Sequence, residues 1–224
     1  MKYKLTGFAD EIAPELDVQL AALNHLGIKN VELRGIDGKS VAEITLEEAK
    51  VVHEKLHAAG VAVSAIGSPI GKISINEDFS AHFALFQHVV ALCEILGTNY
   101  IRMFSFFIPT GENPEKYKGE VMNRLRQMRD YAAEKGIVLL HENEKEIYGD
   151  TAPRCLQIMQ ELYGPHFKAI FDFANFVQCG QNTLSAYEEL KPYIAYIHIK
   201  DAKGAQVMPA GMGDGNVKEI LQQL

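Results

Sequence analysis

Apolar positions along this chain follow two alternating rhythms. Stretches with an apolar residue every three or four positions mark one face of a helix, and short runs rich in β-branched and aromatic residues follow them. Leu16, Leu20 and Leu23 form the first stripe, stopped by Gly27 just before Val31-Glu32-Leu33. The second opens at Thr45 with Glu48 three residues on, a pair able to satisfy two orphan helix amides reciprocally. It carries Val52, Leu56 and Ala59 and ends at Gly60, before Val61-Ala62-Val63. Phe79, Phe83, Phe86, Val90, Cys93 and Leu96 make the third, ended by Gly97 before Tyr100-Ile101-Arg102-Met103-Phe104. The fourth, with Val121, Leu125, Met128 and Ala132, ends at Gly136, and a fifth runs from near Thr151 and Pro153 to Gly164. Glycine suits these stops because the residue after a helix often needs positive φ.

Strands alternating with helices through short loops predict a parallel sheet with helices outside. Seven strand candidates occur, the first at Lys4-Leu5-Thr6-Gly7-Phe8 and the last between Tyr193 and Ile199. No linker or low-complexity tract divides them, so residues 1–224 read as one domain. A barrel and an open doubly wound sheet both fit this alternation. Polar residues close almost every strand (Asp10, Glu32, Ser64, Arg102, Glu142, Asp172, His198), and a barrel gathers all of them at one mouth. No GxGxxG follows the first strand, so the usual dinucleotide signature is absent. The expected class is α/β, a (β/α)8 TIM-type barrel. Asn216 reads as a cap for a last helix with Val217, Ile220, Leu221 and Leu224, and no eighth strand follows it. Such barrels usually take ~250 residues, so the expectation is a barrel lacking its eighth strand and final helix. Its two exposed strand edges could be covered by another chain, a homo-oligomer included.

Three of the strand-end residues carry the candidate chemistry. Glu142, Asp172 and His198 close successive β-runs, separated by 30 and then 26 residues, each the length of one strand-plus-helix unit. At one barrel mouth, two carboxylates and an imidazole would suit a divalent cation; manganese, magnesium, cobalt and zinc all accept such donors. Asp201, three residues past His198, would either orient that imidazole or cap a turn. Glu32 and Arg34 share a strand face and would form an ion pair or contact substrate hydroxyls. Arg102 lies inside an apolar strand, where an unpaired guanidinium is costly, and would pair with a mouth carboxylate or bind an anionic group. Lys72, in Ser68-Pro69-Ile70-Gly71-Lys72, would meet an anion or simply follow a rigid turn. Gly211, Gly213 and Gly215 read as a turn. The remaining histidines lack ligand spacing.

Composition narrows the partners. Of 224 residues 47% are apolar and 23% charged, with a net charge of −7. That balance argues against binding nucleic acid through bulk charge. Cys93, Cys155 and Cys179 are odd in number and form no CxxC pair, and Cys93 falls on an apolar helix face, so free thiols in a reducing compartment are expected. No charged-then-apolar leader precedes the strand-like run after Met1-Lys2, and no apolar run approaches a membrane span, which together predict a cytoplasmic protein without a membrane partner.

Seven stretches then bear on kinship: Gly7-Phe8-Ala9-Asp10-Glu11-Ile12, Val31-Glu32-Leu33-Arg34, residues 68–72, Ile101-Arg102-Met103-Phe104-Ser105-Phe106-Phe107, His141-Glu142-Asn143-Glu144-Lys145, Phe171-Asp172-Phe173-Ala174-Asn175-Phe176 and Tyr196-Ile197-His198-Ile199-Lys200-Asp201. In this order the chain resembles the xylose isomerase-like TIM-barrel superfamily, the sugar-phosphate isomerase/epimerase group. The resemblance implies a divalent cation held by Glu142, Asp172 and His198, with a fourth ligand, a Glu after strand eight, that would lie beyond Leu224. It implies a small sugar or keto-polyol substrate, enolised next to its carbonyl, with Glu142 moving the proton. Asn175 departs from the pattern, since many relatives have His there; an amide can bind a substrate hydroxyl but cannot shuttle a proton. Met212 stands where similar sequences tend to be acidic.

Isomerase or epimerase chemistry is therefore the leading expectation. A lyase or dehydratase on the same scaffold would expel a hydroxyl from the enediolate instead. A repair endonuclease of the superfamily would need added histidines on strands two to four and a basic surface, and neither is present. A truncated, non-catalytic relative is the remaining alternative.

Overall fold

The computed structural model describes residues 3–224; the first two residues of the amino-terminal run discussed above lie outside the described residues. Six parallel strands form one sheet: β1 (Asn30–Leu33), β2 (Ala62–Gly67), β3 (Tyr100–Met103), β4 (Val138–Glu142), β5 (Phe167–Asp172) and β6 (Ile194–His198), hydrogen-bonded in that order. Helices α1 (Leu16–His25), α2 (Leu46–Ala59), α3 (Phe79–Leu96), α4 (Lys118–Glu134) and α5 (Ala152–Leu162) alternate with them. Four of the five expected stops hold, Gly27, Gly60, Gly97 and Gly136 having φ between 65 and 72°, whereas α5 closes at Tyr163 and Gly164 has no positive φ. Thr45 and Glu48 form the reciprocal cap at the start of α2.

The sheet curls rather than lying open. Thr6 Oγ1 is 2.7 Å from Ser64 Oγ on β2, which is 3.0 Å from Tyr196 Oη on β6. Residues from both ends of the sheet thus meet across its inner face. Val138, Leu140 and Ile170, with Tyr100 and Tyr196 against them, fill the interior. The larger apolar core lies between the sheet's outer face and the helices, with Leu33, Ile66, Ile101, Leu139 and Phe167 on the strand side and Leu56, Phe86, Leu92, Leu125 and Met128 on the helix side. This is the expected TIM-type α/β architecture as a six-stranded partial barrel.

Four details differ from the sequence reading. Residues 4–8 run beside β1 but make only one bridge, Gly7 to Val31, among the described residues. Asn216 does not cap α8 (Val217–Leu221): it adopts φ 52° and gives its amide to Thr183 Oγ1 and Asp214 O. Helices α6 (Phe173–Gln178) and α7 (Thr183–Leu190) and a hairpin pairing Asp201–Lys203 with Gln206–Met208 were not anticipated. Finally, α3 is, by length and composition alone, apolar enough to cross a bilayer. Its Phe86, Val89, Leu92, Cys93 and Leu96 are instead buried in the core, and Gln87, His88 and Glu94 interrupt the run.

The loop after β2 zips onto the loop after β3, with Phe104 N donating to Ile70 O (2.8 Å) and Phe106 N to Gly71 O (2.9 Å). Gly71 makes this possible. Its φ is 88°, and a Cβ there would stand 2.0 Å from Phe104 O. Gly60 also has positive φ but open space around it. Gly60→Ala is expected to cost about 1–2 kcal/mol, the left-handed backbone penalty. Gly71→Ala should cost distinctly more, since backbone must also move. Urea denaturation of the two variants checks this, and equal losses would contradict the close-packed loop.

Candidate metal centre

Five of the six strands deliver a polar side chain to the mouth, and β2 ends there in Gly67. Glu142 ends β4, Asp172 ends β5 and His198 ends β6, while Glu32 on β1 and Arg102 on β3 reach the same space from across the interior. In register, Asp172 is the direct partner of His198. The side chain of Asn143 locks the ends of β4 and β5 together: its Nδ2 donates to Asp172 O (3.0 Å) and its Oδ1 accepts from Asp172 N (2.9 Å). Asp172 Oδ1 then accepts from Asn175 N (2.8 Å) to start α6, which leaves Oδ2 for the mouth.

These groups close into a ring. His198 Nδ1 lies 2.9 Å from Glu142 Oε1, and Nε2 lies 3.0 Å from Glu32 Oε2. Arg102 completes it more loosely, with Nη1 3.4 Å from Glu142 Oε2 and Nε 3.9 Å from Glu32 Oε1. The guanidinium is fixed by Nη2, which donates to Gly67 O at 3.0 Å and Ser68 O at 3.3 Å. All four side chains, and Asp172, are buried.

Electrostatics follow from that packing. Burial alone would push Glu142 up, but His198, Arg102 and Lys72 overcome it and hold the carboxyl well below the usual range. Asp172 goes the other way, pushed up by burial and then by the charge on Glu142. Burial opposes a charged His198, yet the carboxylates of Glu142 and Glu32 outweigh it and raise the imidazole to about 10.

One ligand atom each from Glu142, Asp172 and His198 falls within 4.8 Å of the others, a grouping compatible with one divalent ion. Two carboxylates and an imidazole suit such an ion chemically. Glu142 Oε2 is buried without a hydrogen-bond partner among the described residues, as expected of an atom made for something else. The donor set fits a cation.

A cavity of about 540 Å³ opens over this centre, a size typical of small-molecule sites. Glu32, Arg34, Lys72 and Arg102 line it as expected, together with Glu142, Asp172 and His198. Arg34 does not pair with Glu32: its Nε donates to Asp10 Oδ2 (2.7 Å) and its Nη2 to Glu11 Oε1 (3.2 Å). Lys72 pairs with Glu144 at 3.0 Å. Asn175 is not part of the lining. It is buried beside the centre, with Nδ2 donating to Asn143 O (2.9 Å) and, more weakly, to Glu142 Oε1 (3.5 Å), and Oδ1 accepting from Lys200 Nζ (3.2 Å). Asp201 does not reach His198 either. Its Oδ1 accepts from the amides of Ala202 and Gly215, and its Oδ2 from those of Gly211 and Gly213. It clamps the glycine loop beside Met208 and Ala210, which line the cavity. The reading of that loop as a plain turn overlooked this anchor.

Sequence reasoning also passed over Phe8, Glu144, Tyr196 and Lys200, all in the wall. Glu144 and Lys200 each follow a ligand by two residues, a spacing that could have flagged them. Phe8 and Tyr196 gave no signal, because an aromatic residue in a strand reads as core.

A family model described as xylose isomerase-like TIM barrel matches residues 20–224. A 3-dehydroshikimate dehydratase of Bacillus anthracis is 23% identical over 93% of this chain and 74% of its own length. The uncharacterized protein YihM of Escherichia coli is 21% identical over 96% of this chain and 63% of its own. Among solved structures, the probable 3-DHS dehydratase AsbF from Bacillus anthracis superposes with a TM-score of 0.79, 21% identity and coverage of 99% of this chain and 88% of that one. A xylose isomerase-like protein from Mycobacterium smegmatis in complex with magnesium does so at 0.77, with 16% identity and coverage of 98% and 85%. Matched from its first helix to its last residue, and folded as those proteins are, the chain belongs to the xylose isomerase-like TIM-barrel family.

Proposed function

We propose that this protein is a divalent-metal-dependent enzyme that enolises a small polyhydroxylated carbonyl compound, as an isomerase or epimerase. The observation that carries the reading is the buried convergence of Glu142, Asp172 and His198 beneath a mouth-side cavity. A cation held by these three residues would supply Lewis acidity that acidifies the carbon next to a carbonyl and stabilises the enediolate. Glu142 is the proton acceptor in this scheme: its Oε1 is fixed by His198, and its Oε2 has no hydrogen-bond partner among the described residues. Glu144, tethered by Lys72 in the same wall, is the second carboxyl group of this scheme; to return a proton it would first take one up from solvent. Arg34, Lys72, Arg102 and Lys200 offer donors for substrate oxygens around the rim.

A second reading, a dehydratase, is favoured by one specific observation: the likeness to 3-dehydroshikimate dehydratases in both sequence and fold. The two share proton abstraction and part company afterwards, by return of the proton or loss of water. A third structural neighbour, a D-tagatose 3-epimerase-like protein, carries the first chemistry in its name. D-tagatose and 3-dehydroshikimate are therefore the two probes to use in deuterated water. An isomer containing solvent deuterium supports the first reading and an unsaturated product the second. Glu142→Gln should abolish exchange of the carbon-bound proton while the melting curve stays cooperative. Undiminished exchange would remove Glu142 from the mechanism.

The metal assignment is tested without substrate. Manganese or zinc should bind in a 1:1 ratio by calorimetry, and Asp172→Ala should weaken binding by at least roughly 100-fold, beyond the loss seen for merely supporting residues. Unchanged affinity would place the ion elsewhere. Because the cation must displace the proton that His198 retains up to about pH 10, affinity should climb as pH rises. The expected slope is roughly tenfold per pH unit between about 7 and 9, with proton release. A flat profile would mean that His198 is not a ligand.

A further inference from the structure

The geometry points to Glu32 as a positioning residue for the metal site: it takes the Nε2–H of His198 and so leaves Nδ1 as the ligand atom aimed at Glu142 and Asp172. The inference rests on the metal reading above, but it assigns Glu32 a task different from the substrate contact or ion pair that its place beside Arg34 suggested.

Three observations support it. Nδ1 lies 2.9 Å from Glu142 Oε1 and 4.0 Å from Asp172 Oδ2, so this nitrogen faces both carboxylates. Nε2 faces away from them, 3.0 Å from Glu32 Oε2, on a side chain 2% exposed. The ring is also held edge-on between Phe8 and Tyr196, with centroids 5.1 and 5.7 Å away and interplanar angles of 70 and 90°. A ring flip would therefore have to displace packed aromatic side chains. Both ring nitrogens face a buried carboxylate, Nδ1 at 2.9 Å and Nε2 at 3.0 Å, so acceptor strength alone does not choose between them. A ligating imidazole carries one N–H; because only Nδ1 also faces Asp172, a cation would take Nδ1 and leave the N–H on Nε2 for Glu32.

Arg102 adds a positive charge beside the carboxylate but no hydrogen bond to it. Its Nε lies 3.9 Å from the other oxygen of Glu32, and its Nη2 is anchored on two backbone carbonyls. Arg34, two residues further along the same strand, is occupied by Asp10 and Glu11 and does not compete for Glu32. A histidine ligand whose second nitrogen is tied to a carboxylate is fixed in tautomer and orientation and gains basicity as a donor.

The test uses the full chain loaded with cadmium-113 and labelled with nitrogen-15 in histidine. In the wild type, scalar coupling to cadmium is expected at Nδ1 of His198, with the proton on Nε2. Cadmium coupled at Nε2 would overturn the inference while leaving the metal site intact. No cadmium coupling at His198 at all would overturn the metal reading and this inference with it. The variants add a second measure: Glu32→Gln, which keeps an uncharged acceptor, and Glu32→Leu, which keeps none. Both should weaken zinc binding, by roughly 10- to 100-fold, with Leu the worse. Equal zinc affinity in wild type and Glu32→Leu, with native circular dichroism, would reduce Glu32 to a spectator.

Discussion

An imidazole clamped between two buried carboxylates is the constraint around which this molecule is arranged. Glu142 comes from β4, Glu32 from β1 and His198 from β6, so the clamp spans the interior from one end of the sheet to the other. Burying two carboxylates is expensive unless each meets opposite charge at hydrogen-bond range. His198 supplies that charge to both, and Arg102 adds a weaker share at 3.4 and 3.9 Å. Removing one member of such a cluster typically costs about 3–5 kcal/mol, because the partner is left buried and unpaired. Yet Glu32 Oε1, Arg102 Nε and Glu142 Oε2 still lack proper hydrogen bonds among the described residues. A core optimised only for stability would not leave them so, whereas a binding centre would.

Around that clamp, cations and aromatic faces alternate. The Arg34 guanidinium lies 4.5 Å from the Phe8 ring centroid, and that of Arg102 lies 5.2 Å from the same ring. Arg102 is also 5.1 Å from the Phe104 ring, on which Lys72 sits at 4.3 Å. Each contact is worth about 0.5–2 kcal/mol, depending on desolvation. The same cations are also ion-paired, Arg34 with Asp10 and Glu11, Lys72 with Glu144 and Arg102 with Glu142. The rim thus offers N–H donors whose charge is already balanced within the protein.

Much of this was legible from residues alone, for identifiable reasons. Helix stripes, glycine stops and the Thr45 and Glu48 cap are local patterns, and all but the stop at Gly164 appear where the chain predicts them. Glu142, Asp172 and His198 were recoverable because a repeating unit places strand ends at regular intervals. Residues 4–8 read as a strand because β-propensity is local, whereas a ladder depends on how the neighbouring backbone lies. Asn216 has the right side chain for a cap, but its positive φ turns it toward Thr183. The role of Asp201 was hidden because its four amide partners lie up to 14 residues away. Glu32 was the hardest case, since its decisive partner is 166 positions along the chain.

That long-range pairing also explains how an exposed strand can present a precise ligand. β4 is buried along its whole length, whereas β6 is half-exposed through most of its residues and pairs with the sheet on one side only. A strand held along one edge is free to shift, and a ligand on it would move with it. Three contacts across the interior take over the work of a second neighbour: Glu32 on His198, Ser64 on Tyr196, and the Phe8 ring on the His198 ring. All three engage alternate residues of β6, the ones that point inward. The register shifts in both edge ladders, between Val31 and Glu32, where Ser64 of β2 is the extra residue, and between Ala169 and Ile170, where Ala195 of β6 is. Glu32 and His198 each follow such a shift, and their pairing across the interior fixes the edge strand β6 where the chemistry needs it.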